Sequence, residues 1–168
     1  MTELFYGEVF RKLKERKINY LVVGGIAVAL HGAPRFTADA DLALQLVPDN
    51  IEKFLLALEQ LGYEPKAPVN AKDFADPKKR AGWIKDKGMT VLSFWNTNDP
   101  LKLIDVFVAN PIDFQEMANE KMVKTAAGIE IPIPSLRHLI KLKRIAGRPQ
   151  DLRDIELLEK LNDKDQAP

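Results

Sequence analysis

The chain has 168 residues, 46% of them hydrophobic, and a formal net charge of +1. A chain of this size and composition can bury a core, which excludes an intrinsically disordered protein and favours one domain over residues 1–168. The near-neutral charge excludes a protein that coats nucleic acid through its overall charge, so any such contact needs a local patch. The absence of cysteine excludes disulfides, thiolate nucleophiles and zinc–thiolate sites.

The N-terminal segment gives no sign of membrane targeting. Residues 1–17 are charged and amphipathic, without an apolar signal core, and no apolar run in the chain approaches membrane-spanning length. We therefore expect a soluble, cytoplasmic protein without membrane contact.

The first part of the chain predicts alternating helices and strands. Apolar residues recur at helical spacing over 3–17, and the run NYLVVGG at 19–25 is short, β-branched and stopped by glycine, as buried strands are. The pattern then predicts a short helix over 26–32, a strand over 39–47 and an amphipathic helix over 51–62.

The second part is less regular. Residues 64–88 are polar, broken by three prolines, and indicate one or two short helices. Strands over 89–95 and 101–109 should form a hairpin, Pro111 should open a short helix, and a second hairpin should turn near residues 127–128. Two helices, over 136–147 and 148–161, complete the chain.

This order of elements predicts the α+β class. Strands and helices mix without a regular βαβ rhythm, so we expect a mixed β-sheet flanked by helices over residues 1–133 and C-terminal helices over 134–162.

Two acids, Asp39 and Asp41, lie one residue apart in the second predicted strand. Residues two apart on a strand point to the same face, so these carboxylates should lie side by side and repel unless a charge compensates them. A hard divalent cation such as Mg²⁺ provides that compensation. Asp105 lies in the later apolar strand, and three carboxylates converge if the two strands are neighbours.

Three converging carboxylates suit phosphoryl or nucleotidyl transfer with one or two metal ions. The alternative is that Asp39 caps a turn, Asp41 is exposed and Asp105 pairs with a lysine. Each of these alternatives is common for a single aspartate. All three together are less common, and this favours the metal site.

Gly24 and Gly25 end the first strand and begin the short helix. Helix N-termini present free N–H groups, and glycines let a phosphate approach the backbone. The pair forms neither GxGxxG nor GxxxxGK[ST], so it predicts no dinucleotide-binding or P-loop site by itself.

The whole segment VVGGIAVALHGAPRFTADADLAL, residues 22–44, resembles the polymerase-beta-type nucleotidyltransferase superfamily. Its signature is a hydrophobic residue, Gly and Gly or Ser, about a dozen residues, then two acids around a hydrophobic residue. Thirteen residues separate Gly25 from Asp39, and Asp105 matches the family's third acid. The lead-in with Arg35 and Thr37 is similar to the RxTxD form of minimal nucleotidyltransferases and AbiEii-type toxins.

The resemblance implies roles for these residues. The glycines would hold the triphosphate, Asp39 and Asp41 would bind metal, and Asp105 would complete the metal site or act as base. Arg35 and Thr37 could reach a phosphate or ribose, although an exposed arginine salt bridge is an equal alternative.

The C-terminal segment IKLKRIAGRPQDLRDIELL carries a further resemblance, to the Lys, Arg-x-x-Asp and Asp pattern of those toxin-like proteins. It implies nucleotide contact for Lys143, Arg148 and Asp151, whereas Asp154 is expected to cap or pair. Helical spacing predicts that Lys141, Arg144 and Arg148 share a face, which in most proteins is a solvated face.

The remaining candidates have plainer interpretations. We expect His31 to be packed or on the substrate side and His138 to be at the surface. Strand alternation favours core packing for Phe94 and Trp95, and Trp83 stays open.

The function implied by the resemblance is transfer of a nucleoside monophosphate from an NTP to an acceptor hydroxyl with Mg²⁺, one or two ions, or Mn²⁺. The acceptor could be an RNA 3′ end, a protein or a small molecule, and the toxin-like pattern favours RNA or a cognate partner protein in a toxin–antitoxin-like system. The alternatives are a non-catalytic nucleotide- or partner-binding module with the same fold and a metal-dependent nuclease.

Overall fold

The computed structural model describes residues 4–166, with side chains to residue 164, and confirms the α+β class. The helices are α1 (Gly7–Glu15), α2 (Gly24–Leu30), α3 (Pro48–Gln60), α4 (Pro77–Lys87), α5 (Phe114–Asn119), α6 (Leu136–Ala146) and α7 (Pro149–Gln166), with a 3₁₀ helix over Ala71–Ala75. The strands are β1 (Tyr20–Val23), β2 (Ala40–Leu44), β3 (Tyr63–Pro65), β4 (Val91–Asn96), β5 (Leu103–Phe107), β6 (Met122–Ala126) and β7 (Ile129–Ile133).

Five of the strands form a mixed sheet in the order β1–β2–β5–β4–β3. The central neighbours β2 and β5 are parallel, and the other neighbouring strands are antiparallel. The hairpin of β6 and β7 forms a separate two-stranded sheet, whose strand β7 contacts α1 and β1. The sheet thus places the strand with Asp41 directly beside the strand with Asp105.

One face of the five-stranded sheet carries the main hydrophobic core. Alternate strand residues such as Leu42, Ile104 and Phe94 are buried there with Phe10 of α1 and Phe54 of α3. The rings of Phe54 and Phe94 meet edge to face at 6.0 Å. Burial of large side chains on this face supplies the main driving force for folding.

The opposite face is covered over only part of its width. Leu21, Val23 and Ala43 pack there with Met117 of α5 and Leu142 of α6. Further across the sheet the same face stays half-exposed, because every second residue of β4 and β5 is only partly buried.

The predicted elements are confirmed with shifted ends. The first helix runs only over Gly7–Glu15, and the part predicted at residue 3 lies outside the described residues. The strand predicted over 39–47 is limited to Ala40–Leu44, so Asp39 lies in the bend before it. The helix predicted from residue 51 begins at Pro48, which suits a first helical position because proline has no N–H to satisfy.

The prediction that Pro111 opens a helix is wrong. Helix α5 begins at Phe114, because the Asp113 carboxylate accepts a hydrogen bond from the Glu116 N–H at 3.0 Å and caps the helix there.

The middle segment contains the predicted short helices and one strand that was not predicted. Its helices are held by a stack of Phe74 on Trp83, with ring centroids 6.4 Å apart, and both side chains are buried. This answers the open question about Trp83, which belongs to the core. The unpredicted strand is the three-residue edge strand β3.

None of the helices in residues 4–166 is long and apolar enough to cross a membrane.

Candidate active site

The centre of the site is a pair of carboxylates on the two parallel strands. Asp41 on β2 and Asp105 on β5 are aligned in register, so their side chains leave the same face of the sheet next to each other. The Ser93 hydroxyl on β4, aligned with Asp105, donates a hydrogen bond of 2.5 Å to its Oδ1. The alternative interpretation required an exposed Asp41 and an Asp105 paired with a lysine. Instead, Asp41 is half-buried and Asp105 pairs with a serine.

The backbone of Gly24 lies directly against Asp41. It has φ +66°, and a Cβ at this position would lie 2.1 Å from Asp41 Oδ2, well inside van der Waals contact. Gly25 is constrained by a close approach alone, because its Cβ would lie 2.7 Å from Thr37 Cβ. The two glycines therefore let the backbone at the start of α2 lie against the acids and the loop before them.

The protein environment disfavours charge on both acids. Burial raises the pKa of Asp41 to about 6, and repulsion from Asp105 and Asp39 adds to this effect, whereas Lys143 and Arg148 oppose it. Burial also raises the pKa of Asp105, although the hydrogen bond from Ser93 opposes the rise. Two neighbouring acids whose ionised forms are both disfavoured are arranged for a positive ligand.

A divalent cation fits this donor set, because carboxylate oxygens are the ligands that Mg²⁺ prefers. Asp39 is near enough to raise the pKa of both other acids. Within residues 4–166, however, no three acidic or histidine side chains converge closely enough to hold a metal ion together. The structure thus brings Asp41 and Asp105 together and leaves Asp39 beside them, and the three-carboxylate metal site stays a prediction.

Tyr6 is a residue of the site that sequence analysis missed. Its hydroxyl donates a 2.5 Å hydrogen bond to the Ala38 carbonyl and accepts one of 3.1 Å from the Leu103 N–H. It therefore ties the segment before Asp39 to the start of β5, which carries Asp105. No sequence signal marked it, because it falls within the amphipathic N-terminal pattern.

The C-terminal motif forms a buried ionic cluster. The Lys143 ammonium lies 3.2 Å from Asp151 Oδ1 and 2.9 Å from Asp154 Oδ2, and all three side chains are at most 8% exposed. Arg148 Nε pairs with Asp151 Oδ2 at 2.8 Å, and Arg35 Nε pairs with Asp154 Oδ1 at 2.9 Å. The cluster therefore joins the loop before Asp39 to helices α6 and α7.

The pKa values of the two aspartates show that these contacts outweigh their burial. Burial alone would raise the pKa of both acids, but hydrogen bonds from Arg148 and Lys143 lower that of Asp151, and those from Lys143 and Gln150 lower that of Asp154. Arg35 and Asp154 thus pair with each other, which was one of the two equal interpretations of Arg35, although the pair is not exposed, and the expected one for Asp154. Nucleotide contact by Arg35, Thr37, Lys143, Arg148 and Asp151 stays a prediction.

The prediction that Lys141, Arg144 and Arg148 share one helix face is wrong. Helix α6 ends at Ala146, and Gly147 takes φ +62°, so Arg148 leaves the helix in a new direction. Arg144 pairs with Glu159 on the surface.

The expectation that His138 is at the surface is also wrong. His138 is completely buried, with Nδ1 3.1 Å from Glu120 and Nε2 3.3 Å from Glu116. Its basic sequence neighbours suggested exposure, but α6 turns this position inward. His31 is packed as expected, with Nε2 2.9 Å from the Pro134 carbonyl.

Trp95 does not join Phe94 in the core. The two are adjacent on β4 and point to opposite faces, so Phe94 is buried whereas Trp95 lies half-exposed on the face of Asp105.

Comparison by sequence found no match to a protein-family model and no significant match to a curated protein.

Comparison by structure gives matches over most of this chain to nucleotidyltransferases and to a nucleotidyltransferase-like protein. The lincosamide antibiotic adenylyltransferase LnuA, solved with lincomycin bound, matches with a TM-score of 0.61 and 15% identity over 95% of this chain and 99% of its own. ANT(2″)-Ia, in complex with adenylyl-2″-tobramycin, matches with a TM-score of 0.58 and 14% identity over 92% of this chain and 89% of its own. An antigenic nucleotidyltransferase-like protein from Paracoccidioides brasiliensis matches with a TM-score of 0.54 and 20% identity, over 92% of this chain and 74% of its own. The chain therefore has the nucleotidyltransferase fold that its sequence predicted.

Proposed function

We propose that the protein is a nucleotidyltransferase, which moves a nucleoside monophosphate from an NTP to an acceptor hydroxyl. The observation that carries this proposal is the pair of Asp41 and Asp105, which lie in register on parallel strands. The backbone of Gly24 lies directly against Asp41. The fold shared with two antibiotic adenylyltransferases supports it.

The reaction forms one bond and breaks one bond at the α-phosphorus. The acceptor oxygen attacks this atom, the bond to the bridging oxygen of the β-phosphate breaks, and pyrophosphate leaves with the electron pair. Asp105 accepts the proton of the acceptor hydroxyl. Its raised pKa makes it a stronger base than an ordinary aspartate, and Ser93 fixes one of its oxygens so that the other can face the acceptor.

Positive charge reaches the acids from the C-terminal helices. Lys143 and Arg148 lower the pKa of Asp41, so their fields extend to the place where phosphates would lie. The backbone at Gly24 and Gly25 has no side chain to keep a phosphate away.

Asp39, Asp41 and Asp105 are the residues that would hold Mg²⁺. When bound, the ion supplies charge neutralisation for the phosphates and lowers the pKa of an acceptor oxygen. Mn²⁺ has similar ligand preferences and should substitute for it.

The test uses NTPs that carry a radioactive label in either the α- or the γ-phosphate, with RNA, small-molecule and protein acceptors, including the protein itself. We expect transfer of the α-label and release of the γ-label in pyrophosphate. Asp41→Asn and Asp105→Asn should abolish transfer, whereas the exposed Asp163→Asn should not change it.

Three other outcomes would reject the proposal. Transfer of the γ-label would indicate a phosphotransferase. Saturable NTP binding without pyrophosphate release from any acceptor would favour the non-catalytic binding module. Cleavage of an oligonucleotide without NTP would favour the nuclease.

A further inference from the structure

The half-exposed face of the sheet continues past Asp105 to the edge strand β3. Across this face Asp105 is aligned with Ser93, and Trp95 is aligned with both Leu103 and Glu64. Leu103 and Trp95 are half-exposed and belong to neither hydrophobic cluster of the described residues. We call the surface formed by Ser93, Trp95 and Lys66 the platform.

Lys66 enters the platform from the end of β3. Its N–H donates a 2.8 Å hydrogen bond to the Ser93 carbonyl, which continues the pairing of β3 with β4 by one residue. Side chains two apart on a strand share a face, so Lys66 lies on the face of Glu64, Trp95 and Ser93. Its charge also lowers the pKa of Asp105, which places the ammonium near that acid.

The ammonium of Lys66 is available for a ligand. Lys66 is exposed, and its Nζ makes no hydrogen bond or ion pair with any residue in the described part of the chain. Lys143, by contrast, is already held by two aspartates.

Trp95 gives the platform a flat aromatic surface. The indole is half-exposed between Ser93 and the sheet edge, where a planar group can stack on it. A base stacked there would lie on the same face as the general base Asp105.

The segment that begins at β3 has a net positive charge. Residues 64–88 contain seven basic and four acidic residues, in a chain whose net charge is only +1. Six of the basic residues are exposed, namely Lys66, Lys72, Lys78, Lys79, Lys85 and Lys87. Phe74 and Trp83 pack the 3₁₀ helix and α4 into the core on the side of α3, whereas Lys66 lies on the face of the platform. Lys66 is therefore the cation that a phosphate on the platform would meet.

We propose that the platform binds the acceptor and that the acceptor is the end of a single-stranded nucleic acid. This inference rests on the proposed function. The terminal hydroxyl points to Asp105, the terminal base stacks on Trp95, and a backbone phosphate pairs with Lys66. The unpaired ammonium of Lys66 beside Asp105 suits a phosphate, whereas a cationic group would be repelled by it.

The test is binding of a short 5′-fluorescent RNA with a free 3′ hydroxyl, followed by anisotropy at several salt concentrations. For Lys66→Gln we expect weaker binding and a log–log salt slope shallower by about 0.7, the value for one single-strand phosphate contact. Lys53→Gln is the matched control, since it removes the same charge from α3 on the other face of the sheet. Trp95→Leu should weaken binding roughly 5- to 150-fold, as the loss of one stacked base does. Thermal midpoints establish that each variant is folded.

Equal affinities and salt slopes for wild type, Lys66→Gln and Lys53→Gln would overturn the inference. Transfer of the α-label to a protein hydroxyl or an amino sugar, unchanged by Lys66→Gln, would also overturn it while leaving the proposed function intact. RNA binding that depends on Lys66 and Trp95, without transfer from any NTP, would support the platform and reject the proposed function.

Discussion

The folded protein destabilises the ionised form of Asp41, and Lys143 and Arg148 offset this effect only in part. Asp41 is half-buried beside Asp105, and its pKa of about 6 is well above the 3.8 of a free aspartate. A group whose pKa is raised on folding favours the folded state when it is protonated, so this contribution is present below pH 4 and is lost as the pH rises through 6. At neutral pH the ionised acid therefore lowers the free energy of unfolding, which is the cost of burying it beside Asp105.

Asp41→Asn should accordingly make the protein more stable and inactive. A shift of about two pKa units corresponds to a gain of roughly 3 kcal/mol in unfolding free energy at pH 8, with no gain at pH 3.5. Urea unfolding at the two pH values measures it, with Asp163→Asn as the control for loss of an exposed acid. A loss of stability at pH 8 would contradict the strained acid pair.

A position can require glycine because of its backbone conformation or because of a close contact, and Gly24 and Gly88 distinguish the two. Both have positive φ, but a Cβ at Gly88 meets nothing within 4 Å, whereas a Cβ at Gly24 collides with Asp41. Gly88→Ala should cost about 1–2 kcal/mol in unfolding free energy through backbone strain alone. Gly24→Ala should cost more and should also abolish activity, because Asp41 must move. Chemical denaturation and the transfer assay measure both effects, and equal costs would show that the close approach to Asp41 does not matter.

At the scale of elements, the sequence predicted what local patterns determine. The strand bearing Asp41, the strand bearing Asp105 and the helices α3 and α6 follow from hydrophobic periodicity and capping. The alignment of Asp41 with Asp105 could be anticipated only by resemblance, because no local pattern specifies which strands pair.

The errors occurred where tertiary contacts override local signals. β3 has three residues, ends in Pro65 and is a strand only because β4 pairs with it. His138 has basic neighbours in sequence, yet α6 turns it toward Glu116 and Glu120. Neither contact is visible from residues nearby in the chain.

The link between α6 and α7 depends on Lys143. Its ammonium is buried between Asp151 and Asp154, so Lys143→Met leaves two buried carboxylates with one cation each. We expect a loss of about 3–5 kcal/mol in unfolding free energy, as when one partner of a buried ion pair is removed. Lys141→Met, on the exposed side of the same helix, should change it by less than about 0.5 kcal/mol. Similar values for both variants in thermal or urea unfolding would show that the cluster does not stabilise the helix pair.

At the scale of the whole molecule, one face of the sheet packs into the core and the other is left partly open. One face is filled by α1 and α3, and the other is covered by α5 and α6 beside β1, β2 and the end of β5 at Phe107. The acids lie at the boundary of the covered and open parts, so a ligand can reach them without unfolding any element. Binding should therefore raise the stability of the whole fold, since the proposed ligand would contact residues from β2, β5 and the C-terminal helices together.

Thermal unfolding with each NTP and Mg²⁺ tests this coupling. A ligand at one hundred times its dissociation constant adds about 2.7 kcal/mol, which for a chain of this length raises the midpoint by roughly 5–11 °C. The rise should need Mg²⁺ and should be lost in Asp105→Asn but kept in Asp163→Asn, because only the former removes a carboxylate beside Asp41. The nucleotide with the largest shift identifies the preferred base. A shift that persists in Asp105→Asn, or that needs no cation, would show that the nucleotide binds away from the paired acids.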